Sequence, residues 1–161
     1  MKKLLLACVI AALAGCAATG HSFKKSDSPT DGKVLIYIFR TQSAVFSMGD
    51  VHISVDKTDV ADLSINGYTS FYAQPGEHKL AWRWPILDIP LLSRKVEWPR
   101  TWQAGKTYYY RFGVTHEGAH TVKEALFELP EEAAVAQIGQ TSYQPPKNIH
   151  ELLKPSPPSA Q

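Results

Sequence analysis

The run KVLIYIFR at residues 33–40 constrains the fold more than any other feature of the sequence. Successive side chains of a β-strand point to opposite faces of its sheet. Because β-branched and aromatic residues occupy both sets of alternating positions in this run, both faces of the strand need cover. The run therefore predicts a buried central strand.

Shorter strand-like runs follow, and residues that favour turns separate them. Val51, Ile53 and Val55 alternate with polar residues, which predicts a strand with one solvent-facing side. Further strands are predicted at residues 60–64, 68–73, 78–84, 96–102, 106–115 and 121–127, with turns at 56–58, 74–77 and 103–105. Short strands between such turns predict an all-β fold, either an antiparallel β-sandwich or a partly open barrel.

One short C-terminal helix is predicted after the strands. Pro130 suits the first position of a helix, Glu131 and Glu132 suit its positive end, and Gly139 suits its stop. The residues between them offer a small apolar stripe. We expect this helix to cap one open end of the sheet structure.

The segments on either side of this region have the composition of flexible chain. Residues 16–31 are rich in small and polar residues and predict a flexible tether. Residues 141–161 contain five prolines and predict a mostly disordered tail, with a turn or two of loosely packed helix at 148–154. The β-domain with its helix is therefore assigned to residues 32–140.

The chain begins MKKLLLACVIAALAGC, with two lysines, a short apolar run and small residues before Cys16. The apolar run is too short to span a bilayer, so residues 1–15 are interpreted as a secretory signal peptide. The closing LAGC resembles the lipobox of bacterial lipoproteins, whose cysteine takes a diacylglycerol, is exposed by cleavage, and is then acylated. This resemblance implies a lipid anchor of the palmitate type at Cys16. The alternative is an ordinary secreted protein that is cut near Ala14.

The residues after the cysteine bear on location. In Gram-negative lipoproteins an aspartate directly after the cysteine signals retention at the inner membrane, whereas Ala17 and Ala18 stand here. We therefore expect the protein on the inner leaflet of the outer membrane, facing the periplasm. Cys8 leaves with the signal peptide, so the mature chain has one cysteine and no disulfide framework.

Charge excludes one class of partner. The 17 Lys and Arg residues exceed the 15 Asp and Glu residues by two, and Lys2 and Lys3 belong to the signal peptide. The mature chain is thus neutral overall and has no basic stripe. Nucleic acid is not expected as a partner.

Several motifs together resemble a known family. They are the strand that ends in Arg40, the hairpin strand that ends in Val55 and Asp56, and the Pro75-Gly76-x-His78 turn. Over residues 33–115 the chain resembles the lipoprotein family known as domain of unknown function 2846. Similar turns occur in small surface-layer β-domains named for a Pro-Glu-Gly-Ala motif. The resemblance implies a compact β-fold and no known reaction, substrate or cofactor.

The segment His116-Glu117-Gly118-Ala119-His120 fits the HExxH pattern of zinc peptidases. In those enzymes a helix places both histidines on one metal ion and the glutamate activates the bound water. Here the flanking runs are strand-like and Gly118 interrupts the segment, so we interpret it as a turn and predict no cofactor. The alternative is a zinc-dependent hydrolase in which His116 and His120 are the metal ligands.

Two other groups of residues could suggest a catalytic triad or a calcium site, but ordinary structural roles account for both. Ser70, Asp62 and His78 lack a nucleophile elbow and are interpreted as turn-forming or solvent-facing residues rather than a triad. Asp56, Asp59 and Asp62 are spaced by three, but Val60 and Ala61 between them supply no side-chain oxygen, so the three are interpreted as solvated turn acids rather than calcium ligands.

A cluster of tryptophans surrounds the apolar, proline-braced run at residues 85–92. In one interpretation the tryptophans belong to the core and the apolar run is a loop folded onto it. The other is a partly exposed docking patch for an envelope protein, a glycan strand or the membrane surface. The patch would contain Trp82, Trp84, Ile86, Leu87, Leu91, Trp98 and Trp102. The overall prediction is a non-enzymatic binding or structural module of the cell envelope, held to the membrane through Cys16.

Overall fold

The computed structural model describes residues 18–30, 32–43, 49–84, 95–117 and 121–153. The strands are β1 Val34–Arg40, β2 Val51–Val55, β3 Thr58–Leu63, β4 Gly67–Ala73, β5 Gly76–Arg83, β6 Lys95–Trp102, β7 Thr107–Glu117, β8 Thr121–Leu129 and β9 Ser142–Tyr143. The helices are α1 Glu131–Ile138 and the single turn α2 Ile149–Leu152.

The strands form two sheets that share one hydrophobic core. One sheet has the order β8-β7-β1-β4-β9 and the other the order β3-β2-β5-β6. The predicted all-β sandwich with a short C-terminal helix is confirmed. Five of the seven strand pairings are antiparallel, as expected, but β1 with β7 and β4 with β9 are parallel. In both parallel pairs the two strands are far apart in the sequence, so the chain can return to the same end of the sheet before the second strand begins.

Strand β1 is the central strand that its sequence predicts, and all seven of its residues are buried. Val34, Ile36 and Ile38 point between the two sheets, where they meet the aliphatic side chains of the four-stranded sheet. Leu35 and Tyr37 point to the opposite face, which α1, Phe23 and Tyr143 cover. The fold therefore has three layers, and β1 lies in the middle one.

Two of the predicted turns connect the sheets instead of closing hairpins. The turn before Gly76, whose φ of 132° suits glycine, leads from β4 in one sheet to β5 in the other. The turn at Gly105 leads from β6 back to β7. Turn chemistry identifies where the chain reverses, but it does not specify which sheet receives the next strand.

The sandwich has two ends, which we name by one turn residue each. The Asn66 end holds the turn between β3 and β4 and the paired residues Arg83 and Lys95. The Asp56 end holds the turn between β2 and β3, the turn at residues 103–106 and the start of β1. The strands run between these two ends.

Helix α1 covers a face of the sandwich, which corrects the expectation that it caps an open end. Its buried residues Ala134 and Ile138 pack with Leu35, Tyr37 and Tyr109 on the outer face of the five-stranded sheet. The helix takes this place because the outward side chains of β1 and β7 are apolar and aromatic and need a cover. Pro130 is the residue before the helix rather than its first residue.

Residues 18–30, which we call the strap, are packed against the same face, so the prediction of a flexible tether is wrong for them. The ring of Phe23 lies edge-on against Tyr37 and Tyr68, with centroids 5.7 and 5.3 Å away. The backbone N–H of Ser26 donates to the Tyr37 hydroxyl at 2.6 Å. The strap, although polar in composition, is thus held in place by the ring of Phe23 and by hydrogen bonds from the strap's own backbone.

The tail is likewise ordered as far as residue 153, which corrects the expectation of disorder from residue 141. Strand β9 pairs with β4, and the N–H of Lys147 donates to the carbonyl oxygen of Val60 at 2.8 Å. Leu152 in α2 is buried in the core between the sheets, and its carbonyl oxygen accepts from the N–H of Gln74 at 3.1 Å. The predicted short helix is present, but it closes one side of the sandwich.

Candidate functional site

His78 and Asp56 form the most organised polar cluster in the described residues, at the Asp56 end. The His78 side chain is only 3% exposed, and its ring stacks on Trp102 with a centroid distance of 4.5 Å. Its Nδ1 lies 2.6 Å from Asp56 Oδ2, and its Nε2 lies 2.9 Å from the carbonyl oxygen of Gln74. Both ring nitrogens therefore have a hydrogen-bond partner within the protein.

The local sequence explains how Asp56 reaches this position. Asp56 and Lys57 have φ values of 49° and 72°, the left-handed conformation that a tight two-residue hairpin turn requires. The N–H of Asp56 donates to the carbonyl oxygen of Lys79, and the N–H of Lys79 donates back to Asp56 Oδ1 at 2.8 Å. Asp56 is thus held to β5 by the backbone of Lys79 and by the side chain of His78.

Arg40 forms a corresponding cluster at the Asn66 end. Its guanidinium donates to the carbonyl oxygens of Gly49 at 2.8 Å and Leu63 at 3.1 Å, and it lies 5.9 Å from the ring centre of Phe112. Burial lowers the pKa of Arg40, and the charge of Asp50 partly offsets this. Because Leu63 belongs to the opposite sheet, Arg40 joins the two sheets.

The residues that carried the family resemblance therefore have structural partners at both ends. Arg40 connects the sheets at one end, and Asp56 with His78 fixes the hairpin and the sheet crossover at the other. Both nitrogens of the His78 ring are engaged by groups of the protein itself, Asp56 and the backbone of Gln74. The cluster is suited to stabilising the fold.

Ser70, Asp62 and His78 do not come together as a catalytic triad. Ser70 lies in β4 beside Tyr68 and Tyr72 on the outer face of the five-stranded sheet. Asp62 lies in β3 of the other sheet, where Oδ1 pairs with His52 Nδ1 at 2.6 Å and Oδ2 with Lys147. Neither residue approaches His78, whose ring is occupied by Asp56 and Gln74. The interpretation of these residues as ordinary strand and turn residues agrees with these positions.

Partial burial by itself raises the pKa of Asp62. The hydrogen bonds from Lys147 and His52, together with their charges, lower it by more, so the net shift of the pKa is downward. Asp62 is therefore committed to ion pairs, and Asp56 is committed to His78. Within the described residues, no group of three or more His, Cys, Asp or Glu side chains is arranged to hold a metal ion.

The HEGAH segment lies at a strand end. His116 and Glu117 are the last two residues of β7, and they pair with Val122 and Thr121 of β8. Residues 118–120 lie outside the described residues, and so does the candidate ligand His120. The extended backbone at His116 and Glu117 differs from the helix that the zinc-peptidase motif requires. Residues four apart in a strand share a face but lie about 13 Å from each other, whereas a helix brings them within reach of one metal ion.

The tryptophan cluster is divided by the structure. Trp82 is 5% exposed and Trp102 is 1% exposed, and both belong to the core between the sheets. They are therefore core residues, which corrects their assignment to a docking patch. Trp84 and Trp98 are half-buried and pack against the same core. Ile86, Leu87 and Leu91 lie outside the described residues.

A second cluster, on the outer face of the five-stranded sheet, was missed by the sequence interpretation. The rings of Tyr37 and Tyr109 stack in parallel with a centroid distance of 5.0 Å beneath the strap and α1. Burial, with smaller contributions from Glu131 and Tyr37, raises the pKa of Tyr109 to about 12. The Tyr109 hydroxyl is buried without a hydrogen-bond partner. Two sequence signals pointed to this layer: the apolar residues on both faces of the 33–40 run, and Phe23, the single aromatic residue in a polar segment.

An open cleft of about 400 Å³ lies beside the His78 cluster. It is lined by Asp56, Glu77, His78, Lys79, Pro99, Arg100 and Thr101. Its side chains carry both signs of charge, and the cleft lies at the Asp56 end. This chemistry suits a polar ligand or a protein surface better than an apolar small molecule.

Comparisons with known proteins add no identity to this geometry. Neither a scan of family models nor searches of curated proteins and of solved structures found a match to this chain. The resemblance to domain of unknown function 2846 therefore stays a prediction. Among the described residues there is no helix with the length and apolar character needed to cross a membrane.

Proposed function

We propose that this chain is a lipid-anchored protein of the bacterial cell envelope, held through Cys16 on the inner leaflet of the outer membrane and facing the periplasm. The observation that carries the proposal is the leader that ends in LAGC, followed by alanines rather than aspartate. Two or more acyl chains give stable anchoring, since each buried methylene contributes about 0.8 kcal/mol.

The β-sandwich is proposed to be a non-enzymatic binding or structural module. Support comes from the ordinary roles of its polar residues: His78 and Asp56 satisfy each other and the backbone, and His116 continues a strand. The mixed-charge cleft beside Asp56 is the surface that we propose for contact with another envelope protein or a glycan.

The anchor is tested by Cys16→Ser, which removes the thiol that would be acylated. We expect the variant to retain the precursor mass and to be absent from the outer-membrane fraction, with the wild-type chain as the reference for mass and fractionation. A variant that matures to the same mass and remains in the outer membrane contradicts the proposed anchor.

The competing function, a zinc-dependent hydrolase that uses His116 and His120, is tested by elemental analysis of purified protein. We expect no stoichiometric zinc, and we expect His116→Ala to leave the fold intact. One equivalent of zinc that is lost in His116→Ala would establish the metal site and overturn the non-enzymatic proposal.

A further inference from the structure

The strap determines where the chain leaves the sandwich on its way to Cys16. The N–H of Ala18 donates to the carbonyl oxygen of Ile65 at 3.1 Å, in the turn at the Asn66 end. Cys16 precedes Ala18 by two residues, which span at most about 7 Å when extended. A lipid on Cys16 would therefore lie next to the Asn66 end.

The first part of the strap is fixed by close contacts with β9. The N–H of Tyr143 donates to the carbonyl oxygen of His21 at 2.8 Å, and the two rings stack at 4.8 Å. Ser22 and Ser142 form an antiparallel bridge. A Cβ at Gly20 would lie 1.9 Å from the backbone oxygen of Tyr143, so only glycine fits where the strap crosses β9.

The second part of the strap continues across the sheet to the opposite end. The Tyr72 hydroxyl donates to the carbonyl oxygen of Asp27 at 3.0 Å, and Lys25 pairs with Glu131 of α1. The chain then enters β1 at the Asp56 end, where the N–H of Lys33 donates to the carbonyl oxygen of Thr30. The strap therefore spans the sandwich from the Asn66 end to the Asp56 end.

This path reverses the orientation that a free tether would give. An unpacked chain from Cys16 to Lys33 would attach the lipid to the Asp56 end through a leash of about 20 Å root-mean-square length. The packed strap instead brings the lipid to the Asn66 end. The side of the sandwich that faces the bilayer thus depends on whether the strap is packed.

We propose that the packed strap holds the Asn66 end against the lipid headgroups and presents the Asp56 end, with its mixed-charge cleft, away from the membrane. The proposal rests on the proposed Cys16 anchor. The charged residues of the Asn66 end include both signs, among them Asp50, Arg83 and Lys95. Because the Asn66 end carries charges of both signs, the contact does not require anionic lipids. Vesicles of zwitterionic phosphatidylcholine are therefore a sufficient probe.

The test measures which end lies near the bilayer. Acylation would consume the Cys16 thiol, so a cysteine introduced at Lys95 or at Ala104 is the only free thiol of the mature chain. Both positions are exposed, and the strand between them spans about 23 Å from one end of the sandwich to the other. Lipidated Lys95→Cys and Ala104→Cys proteins are labelled with a donor fluorophore and reconstituted in phosphatidylcholine vesicles that carry a headgroup acceptor.

We expect both proteins to float with the vesicles, and energy transfer from position 95 to be severalfold higher than from position 104. Adding Gly20→Ala to each should remove or reverse this difference while flotation is retained, because the new Cβ overlaps the backbone of Tyr143. Gly113→Ala is the matched control, since its Cβ would meet Phe127 at an ordinary 3.5 Å. Phe23→Ala provides an independent way to loosen the strap.

The outcomes separate the two proposals. Proteins that fail to float contradict the anchor and, with it, the orientation. Proteins that float with equal transfer from the two positions, or with higher transfer from position 104, leave the anchor intact and overturn the orientation. An unchanged transfer difference in both Gly20→Ala and Phe23→Ala would show that the strap does not set it.

Discussion

The two faces of the five-stranded sheet are buried by different means. The inner face packs aliphatic side chains such as Ile36 and Ile38 against the strands of the opposite sheet. The outer face packs aromatic rings beneath α1, the strap and β9, which come from the two ends of the described chain. The inner layer is therefore made by the sheets themselves, whereas the outer layer depends on segments that are added to a finished sheet.

Both layers contain buried polar groups with and without a partner, and in the inner layer Trp82 Nε1 lacks one. In the inner layer the Trp102 Nε1–H donates to the Tyr110 hydroxyl at 2.9 Å. In the outer layer the Tyr37 hydroxyl accepts from the strap, but the stacked Tyr109 hydroxyl has no partner. Because the outer layer is closed by segments from the two ends of the described chain, we expect its release to cost less than disruption of the inner layer.

The largest expected effect is in the inner layer. Trp102→Ala removes a side chain that is 1% exposed, stacks on His78 and bonds Tyr110, so we expect it to lower the free energy of unfolding by about 3–5 kcal/mol. Urea denaturation measures the change. Trp98→Ala, at a half-buried position of the same strand, is the control and should cost less. Equal losses of unfolding free energy in the two variants would contradict the deeper burial of Trp102 relative to Trp98.

The next effect concerns Tyr109 at alkaline pH. Its folded pKa of about 12 exceeds the ordinary value of 10.0, so both states keep the proton below pH 10 and only the unfolded state loses it between pH 10 and 12. Stability should therefore fall as pH rises through that window, by on the order of 2 kcal/mol from this residue. Denaturation at several pH values should show a smaller loss in Tyr109→Phe. Identical pH profiles for the two proteins would contradict the assigned burial.

Phe23→Ala sharpens the comparison by loosening the strap alone. The ring is half-buried against Tyr37 and Tyr68, so its loss should cost about 1–1.5 kcal/mol, roughly half of full aromatic burial. Hydrogen exchange should accelerate in residues 18–30 and stay slow in β1 and β4. Acceleration throughout the sheet would show that the two layers unfold together.

The smallest expected effect separates two stacked tyrosines. Tyr37→Phe removes the acceptor of the Ser26 N–H and should cost about 1 kcal/mol. Tyr109→Phe removes a hydroxyl that lacks a partner and should leave stability at neutral pH unchanged or slightly raised. Thermal unfolding of the two variants tests this difference. A greater loss in Tyr109→Phe would contradict the hydrogen-bond assignment.

Individual elements show how far local pattern determines structure here. The bounds of β1, β4 and α1 were predicted closely, because apolar alternation and terminal residues such as Gly139 act over a few neighbouring positions. The partnership of Asp56 with His78 was not predicted, although both residues had been noted. They are 22 residues apart, and only the placement of β5 beside β2 brings them together.

The sequence by itself determined that a buried central strand, short strands with turns and one helix would form, since each depends on local periodicity and turn chemistry. The tertiary structure decided which turns cross between sheets, that Trp82 and Trp102 are core residues, and that both terminal segments are packed. A polar segment such as the strap is ordered by the surface that it meets, here the aromatic face made by Tyr37, Tyr68 and Tyr109. Because that surface exists only after the sheet is assembled, no local pattern in residues 18–30 could specify it.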